Sequence, residues 1–284
     1  MKKLRNRLPI VFCIVSYILW VAAQSVFSIF GNLLMIMTGC SDTLLPQFFG
    51  EIGCILMVIF LLWRTGRLQL LKDRGIGFFR GMLFGIVPIA FLLIITLTQI
   101  NFTNAKLNGP LTIFILVLTS LSIGMAEDFL CRGMMAETLL EHFGPDKKGI
   151  LKAILISSVI FALTHLVNLA ESGFSGVLLQ VINAFFVGVL FAAIYFRTGN
   201  IMIAAVIHAL WDFCGLIQSD NGLFSSNASI NDIISSYKFD VSALLTFIMI
   251  VVYVFILMRF SNYEDAVRRY FGGYCGKTKE ERLQ

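Results

Sequence analysis

The chain has 284 residues, of which 58% are apolar and 14% charged, with a formal net charge of +5 and a mean hydropathy of +0.86. A soluble domain keeps about a quarter of its residues charged to solvate its surface, so an ordinary soluble protein is excluded. Nucleic acid is excluded as a partner too, because the basic residues are segregated by loop rather than gathered into one binding patch. The length suits one integral membrane domain over 1–284. Six cysteines (Cys13, Cys40, Cys54, Cys131, Cys214, Cys275) show no CxxC or ligand spacing, and most fall within apolar runs, where cysteine acts as a small hydrophobe.

A helix crossing the bilayer core needs roughly 20 apolar residues. In chain order such runs lie near 9–37, 47–63, 79–100, 110–136, 150–169, 174–196, 200–218 and 241–258, which predicts an all-α polytopic protein of about eight transmembrane helices. The first run follows Lys2, Lys3, Arg5 and Arg7 and is too long for a cleaved signal, so it reads as a retained anchor. Pro9 and Pro110 fall where a first helical turn tolerates a missing N–H, and Pro88 falls inside the third run. No internal repeat is present.

Basic residues set the orientation. Lys2, Lys3, Arg5 and Arg7 precede the first run; Arg64, Arg67, Lys72, Arg74 and Arg80 lie between the second and third; Lys147, Lys148 and Lys152 between the fourth and fifth. Arg197 lies in the sixth-to-seventh turn, and Arg259, Arg268, Arg269, Lys277, Lys279 and Arg282 in the tail. Only Lys106 and Lys238 occupy the alternate loops, and Arg132 lies within a span. The alternation predicts both termini in the cytoplasm.

Ionisable groups inside spanning helices are costly, so each asks for a reason. Glu51 is near a helix end and is expected to reach water in a structural role, and His142 sits at a charged helix end. The others cluster. The fourth run carries Glu127, Asp128 and Arg132; the fifth carries Phe161, His165 and Asn168; the seventh carries His208 and Asp212. Asp128 and Arg132 are four residues apart on one helix face, in the order that favours an ion pair. His208 and Asp212 are also four apart, so the carboxylate can hydrogen-bond the imidazole. Glu127 is rotated about 100° from Asp128 and faces another neighbour. Burying these groups costs least if they converge on one water-filled cavity.

A glutamate with a histidine can deprotonate water for attack on an acyl carbonyl, and an acid-oriented second histidine can stabilise the oxyanion. The set Glu127, His165 and His208 could instead hold Zn²⁺ with a water as fourth ligand, although no HExxH is present. A structural polar network between helices is the bland alternative.

The order E-[ED]-x-x-x-R-G, F-x-x-x-H and H-x-x-x-[ND] on successive helices resembles the CPBP family, the CAAX-prenyl-protease and bacteriocin-processing (Abi) intramembrane endopeptidases. The resemblance covers roughly 110–215, the core carrying the motifs. It implies that Glu127 and His165 activate water, that His208 and Asp212 form the oxyanion side, and that Arg132 acts through Asp128 in structure or substrate positioning. Asn168 and Phe161 flank His165 in support. It further implies glutamate-dependent hydrolysis without a cofactor, with Zn²⁺ as the alternative. The substrate would be a membrane-associated peptide or protein, lipidated in one branch of the family. The bacterial branch places such proteins in the cell membrane, in peptide maturation or bacteriocin self-immunity. Two positions depart from the prenyl-protease pattern: the double glutamate is Glu127-Asp128, and Asp212 stands where Asn is usual. Other readings are a non-catalytic immunity or scaffold protein, and a transporter or proton relay; the latter is disfavoured by the lack of repeats.

The charge asymmetry predicts that reporter fusions after Thr43, Asn104 and Ser226 read external, and fusions after Asp73, Gly149 and Gln284 internal. One inverted loop breaks the eight-helix topology.

Overall fold

The structure is a computed structural model that describes residues 1–72, 75–100, 106–217, 219–224, 230–260 and 262–275. Arg74, Lys277, Lys279 and Arg282 of the charge pattern, and the fusion positions Asp73, Asn104, Ser226 and Gln284, lie outside the described residues. The helices are α1 (Lys2–Arg7), α2 (Pro9–Thr38), α3 (Leu44–Thr65), α4 (Phe78–Gln99), α5 (Pro110–Asp128), α6 (Glu137–Phe143), α7 (Lys147–Thr164), α8 (Phe174–Thr198), α9 (Ile201–Leu216), α10 (Ile230–Ser236), α11 (Val241–Phe260) and α12 (Tyr263–Cys275). A π-helical stretch, Phe129–Ala136, joins α5 to α6, and a 3-10 stretch, His165–Ala170, continues α7. Among the described residues the only β pairing is an isolated bridge between Leu107 and Phe224. The protein is an all-α polytopic membrane protein.

Among the described residues, seven helical segments are long and apolar enough to cross a membrane: Pro9–Thr38, Leu44–Thr65, Phe78–Thr98, Pro110–Phe143, Lys147–Ala170, Phe174–Thr198 and Val241–Arg259. The eighth expected span is α9, which has 16 residues. At 1.5 Å per residue it rises about 24 Å, short of the bilayer core. It need not meet lipid along its length, because Ile203, Ala204, Ala205, Ile207 and His208 are buried and it packs against α4, α5 and α8.

Local sequence explains the ends. Pro9 and Pro110 open α2 and α5, where the missing N–H has no intrahelical partner to lose. The Asp146 carboxylate caps α7 by accepting from Gly149 N–H at 3.2 Å, and the Asn200 side chain caps α9 by accepting from Met202 N–H at 3.0 Å. Gly199 ends α8 at φ +68°, a left-handed conformation costly for any residue with a Cβ, and this permits the tight return into α9. Gly124 lets α5 and α9 touch, since a Cβ there would fall 2.3 Å from the Ala205 carbonyl oxygen.

The end of the bundle bearing the basic loops is tied by a buried polar network that the sequence did not announce. Arg67 pairs with Glu137 at 2.9 Å and also with Glu141, which Arg5 contacts in turn. Arg5 Nε donates to Thr138 Oγ1 at 3.0 Å, and the Tyr195 hydroxyl donates to Glu137. Burial alone would lower the pKa of the Arg67 guanidinium, but the Glu141 and Glu137 charges outweigh it and hold Arg67 above its usual value. Below this network α12 buries Val267 and Phe271 against Tyr195 and Phe196 of α8, and the Tyr263 hydroxyl donates to the Ala193 carbonyl at 2.8 Å.

Candidate active site

Glu127 of α5, His165 and Asn168 of the 3-10 stretch, and His208 and Asp212 of α9 line one cavity of about 760 Å³, walled also by α2, α3, α7, α8 and α10, while Asp128 and Arg132 lie outside its lining. Its mouth is formed by Thr43, Glu171, Asp220 and Asn231, at the helix ends opposite the basic loops. Its floor holds Glu127, His165, His208 and Asp212.

His208 is the centre of the floor. Its Nδ1 lies 3.3 Å from Asp128 Oδ2, while Nε2 lies 3.4 Å from Glu127 and 3.5 Å from Asp212. Asp128 is wholly buried, and its other oxygen pairs with Arg132 Nε at 2.9 Å. Arg132 is itself 2% exposed, sandwiched between the Phe161 and Phe191 rings at 4.4 and 5.3 Å, and its Nη2 donates to the Gly188 carbonyl at 3.5 Å. The same two rings contact the His208 imidazole, with centroids 5.8 and 4.6 Å away.

Hydrogen-bond parity follows from this arrangement. Asp128, already paired with a guanidinium, serves as an acceptor, so Nδ1 of His208 carries a hydrogen. Nε2 then faces two carboxyl groups. It either donates as part of an imidazolium or accepts from a protonated carboxyl.

The backbone departs from regular α-helix at both walls. The ion-paired residues Asp128 and Arg132 span the start of the π-helical stretch. Hydrogen bonds to i−5 widen that turn, bringing residues four apart nearly over one another, and such stretches gather at functional sites. On α7 the α-helix stops at Thr164, and His165 begins the tighter 3-10 turn. His165 Nδ1 lies 3.2 Å from the Phe161 carbonyl and 3.3 Å from Thr164 Oγ1, and its ring meets the edge of Phe161. Among the described residues no hydrogen bond or ion pair joins His165 to Glu127; the two share the cavity across open space. Asn168 donates to Gln180 Oε1 of α8 at 2.8 Å, tying the 3-10 turn to the neighbouring wall.

Two features differ from expectation, and a third, His142, agrees with it. Asp128, expected to serve Arg132, also holds His208, while Asp212 joins Glu127 on the other ring nitrogen. Glu51, expected near water at a helix end, is 2% exposed in the cavity wall, where Gln24 Nε2 donates to it at 2.9 Å. Its position in the second turn of α3 suggested a wet helix end, but α2 and α5 cover that turn. His142 is exposed against Phe143, as an ordinary surface histidine. At the mouth, outside the spans, burial first pushes the Asp42 carboxyl up. A hydrogen bond from Leu44 N–H opposes this, and the nearby Asp220 charge adds to it.

A fit to Zn²⁺ requires three side chains converging at about 2.0–2.2 Å from one point. Among the described residues no group of three His, Cys, Asp or Glu side chains is arranged to hold a metal ion. The donor set Glu127, His165 and His208 therefore does not fit as it stands.

Comparison with protein families matches residues 109–214 to the Rce1-like type II CAAX prenyl endopeptidases. The resemblance read from the motifs holds over this segment. The matched residues, well under half of the chain, contain α5, the π-helical stretch, α6, α7, α8 and most of α9, and with them every candidate residue named from sequence. No curated protein and no solved structure matches the chain. The family is one of peptidases by name, and peptidase function at a membrane is the coarse activity it supports.

Removing Arg132 would leave the buried Asp128 charge with His208 as its one remaining partner, and breaking a buried ion pair typically costs about 3–5 kcal/mol. Arg132→Met should therefore lower the thermal unfolding midpoint of the detergent-solubilised protein markedly. A midpoint equal to the wild type's would show that the pair contributes nothing to holding the site.

Proposed function

We propose that the protein is an intramembrane endopeptidase that hydrolyses a peptide bond of a membrane-associated peptide or protein with a water activated by Glu127. The observation that carries this reading is the convergence of Glu127 and Asp212 on Nε2 of a histidine whose Nδ1 is anchored by a buried Asp128–Arg132 pair.

Each residue has a task under this reading. Glu127, 18% exposed at its side chain and open to the cavity, takes a proton from water as the nucleophile forms. His165, on the opposite wall, orients that water and receives or returns a proton. His208, held rigidly by Asp128 and by the Phe161 and Phe191 rings, presents Nε2–H to the carbonyl oxygen as it gains charge. Asp212 accompanies the imidazolium or, protonated, serves as a further donor, so that no net negative charge faces the oxyanion. Arg132 acts through Asp128. Low-dielectric walls strengthen each of these interactions relative to water. The tetrahedral intermediate collapses with proton transfer from Glu127 to the leaving amine, which returns the site to its starting protonation.

The same proposal sets both termini in the cytoplasm, because the basic residues gather at one end of the bundle. The cavity then opens to the non-cytoplasmic face, since Thr43, Glu171, Asp220 and Asn231 all lie at the other end. Hydrolysis in this scheme runs through side chains alone and needs no cofactor. A bacterial cell membrane is the setting that the family resemblance suggests.

Turnover of a quenched-fluorescence peptide library by the purified protein tests the assignment. Glu127→Gln and His165→Ala should each reduce cleavage to background while the protein elutes as a folded species. The double variant should be no worse than either single one, as expected for groups that act as a unit. Substantial cleavage by Glu127→Gln contradicts the assignment.

A further inference from the structure

Glu51 is a buried carboxylate in the cavity wall that the mechanism above does not use. One of its oxygens accepts from Gln24 at 2.9 Å; the other, Oε2, is buried with no hydrogen-bond partner. A buried acceptor left without a partner is unfavourable unless something completes it. The residue lines a space that also carries Glu127, Glu171, Asp212 and Asp220, with His165 and His208 and, among the described residues, no lysine or arginine. Arg132, which lies behind the floor, is engaged with Asp128 and the two phenylalanine rings. A cleft in which acidic side chains outnumber cations, set between low-dielectric walls, focuses its field on whatever enters. The free carboxylate at a peptide's C-terminus would meet five acidic side chains, and the imidazolium of His208 on the floor is already held between Glu127 and Asp212. A basic side chain would meet the opposite.

We infer that Glu51, held by Gln24, is the specificity subsite for a lysine or arginine of the substrate, which enters through the acidic mouth at Glu171 and Asp220. The inference rests on the endopeptidase reading and names its substrate class: a cationic segment within a peptide, rather than a carboxylate-terminated tail. An ammonium or guanidinium supplies the donor that Oε2 lacks. Glu171 is already fixed at the mouth by Asn231 Nδ2 at 2.9 Å, so the entrance charge is held in place rather than loosely displayed.

The test measures binding, apart from turnover. Full-length protein carrying Glu127→Gln is placed in nanodiscs and titrated with three labelled peptides that differ at one central position: lysine, norleucine or glutamate. The lysine peptide should bind about ten-fold tighter than the norleucine peptide or better, with the glutamate peptide weakest. Adding Glu51→Gln should erase the difference between lysine and norleucine while leaving norleucine affinity in place. Gln24→Glu, which sets a second carboxylate beside the first, should enlarge the lysine preference, and it provides an answer if Glu51→Gln does not fold. Equal affinity for lysine and norleucine, no binding of any of the peptides, a preference that survives Glu51→Gln, or one that Gln24→Glu leaves unchanged overturns the inference. Failure of the endopeptidase reading appears separately, as absence of cleavage by the wild-type protein.

Discussion

Asp128 is wholly buried, with one oxygen 2.9 Å from the Arg132 guanidinium and the other 3.3 Å from Nδ1 of His208. A charge in that position is tolerable only because both oxygens are engaged, and the engagement has consequences in two directions. Toward α8, it draws Arg132 between Phe161 and Phe191 and onto the Gly188 carbonyl, which locks α5, α7 and α8 together. Toward the cavity, it fixes which nitrogen of His208 carries a hydrogen and which one faces Glu127 and Asp212. Stability and chemistry thus share one carboxylate. The usual second glutamate is an aspartate here, and the shorter side chain still reaches both partners.

The rest of the bundle supplies the closeness this arrangement needs. Gly124 brings α9 against α5, one helical turn before Glu127, so that His208 can reach Asp128. The π-helical stretch then carries Arg132 back over Asp128, and the 3-10 turn sets His165 on the facing wall. The far end of the bundle, tied by Arg5, Arg67, Glu137, Glu141 and Tyr195, closes the floor from below and leaves the mouth as the way in.

Much of this was legible in the sequence, for physical reasons that differ by residue. The spans were readable because hydrocarbon demands long apolar runs, and Pro9 and Pro110 mark helix starts. The cluster was readable because Glu127, Asp128, Arg132, His165, His208 and Asp212 are ionisable where a membrane discourages ionisable groups. The partners within the cluster were less legible. Helical spacing relates residues of one helix, so it found Asp128 with Arg132 and His208 with Asp212. The contact between Asp128 and His208 crosses from α5 to α9 and depends on how closely those helices pack. Glu51 was misread for the same reason, since its burial is set by α2 and α5 rather than by its own helix. Helices α10 and α12 escaped notice, one short and polar, the other amphipathic at the surface of the bundle. α9 was read as an ordinary span although it is short and packs much of its surface against α4, α5 and α8.

The claim that Asp128 organises the chemistry through His208 is tested most directly by the steady-state kinetics of Asp128→Asn on a peptide that the wild-type protein cleaves. The account predicts a protein that still folds, with a lower unfolding midpoint, whose kcat falls by about 10²-fold or more with KM little changed, because asparagine lacks the charge that holds His208 as an imidazolium donor to the forming oxyanion. A kcat equal to that of the wild type would contradict it.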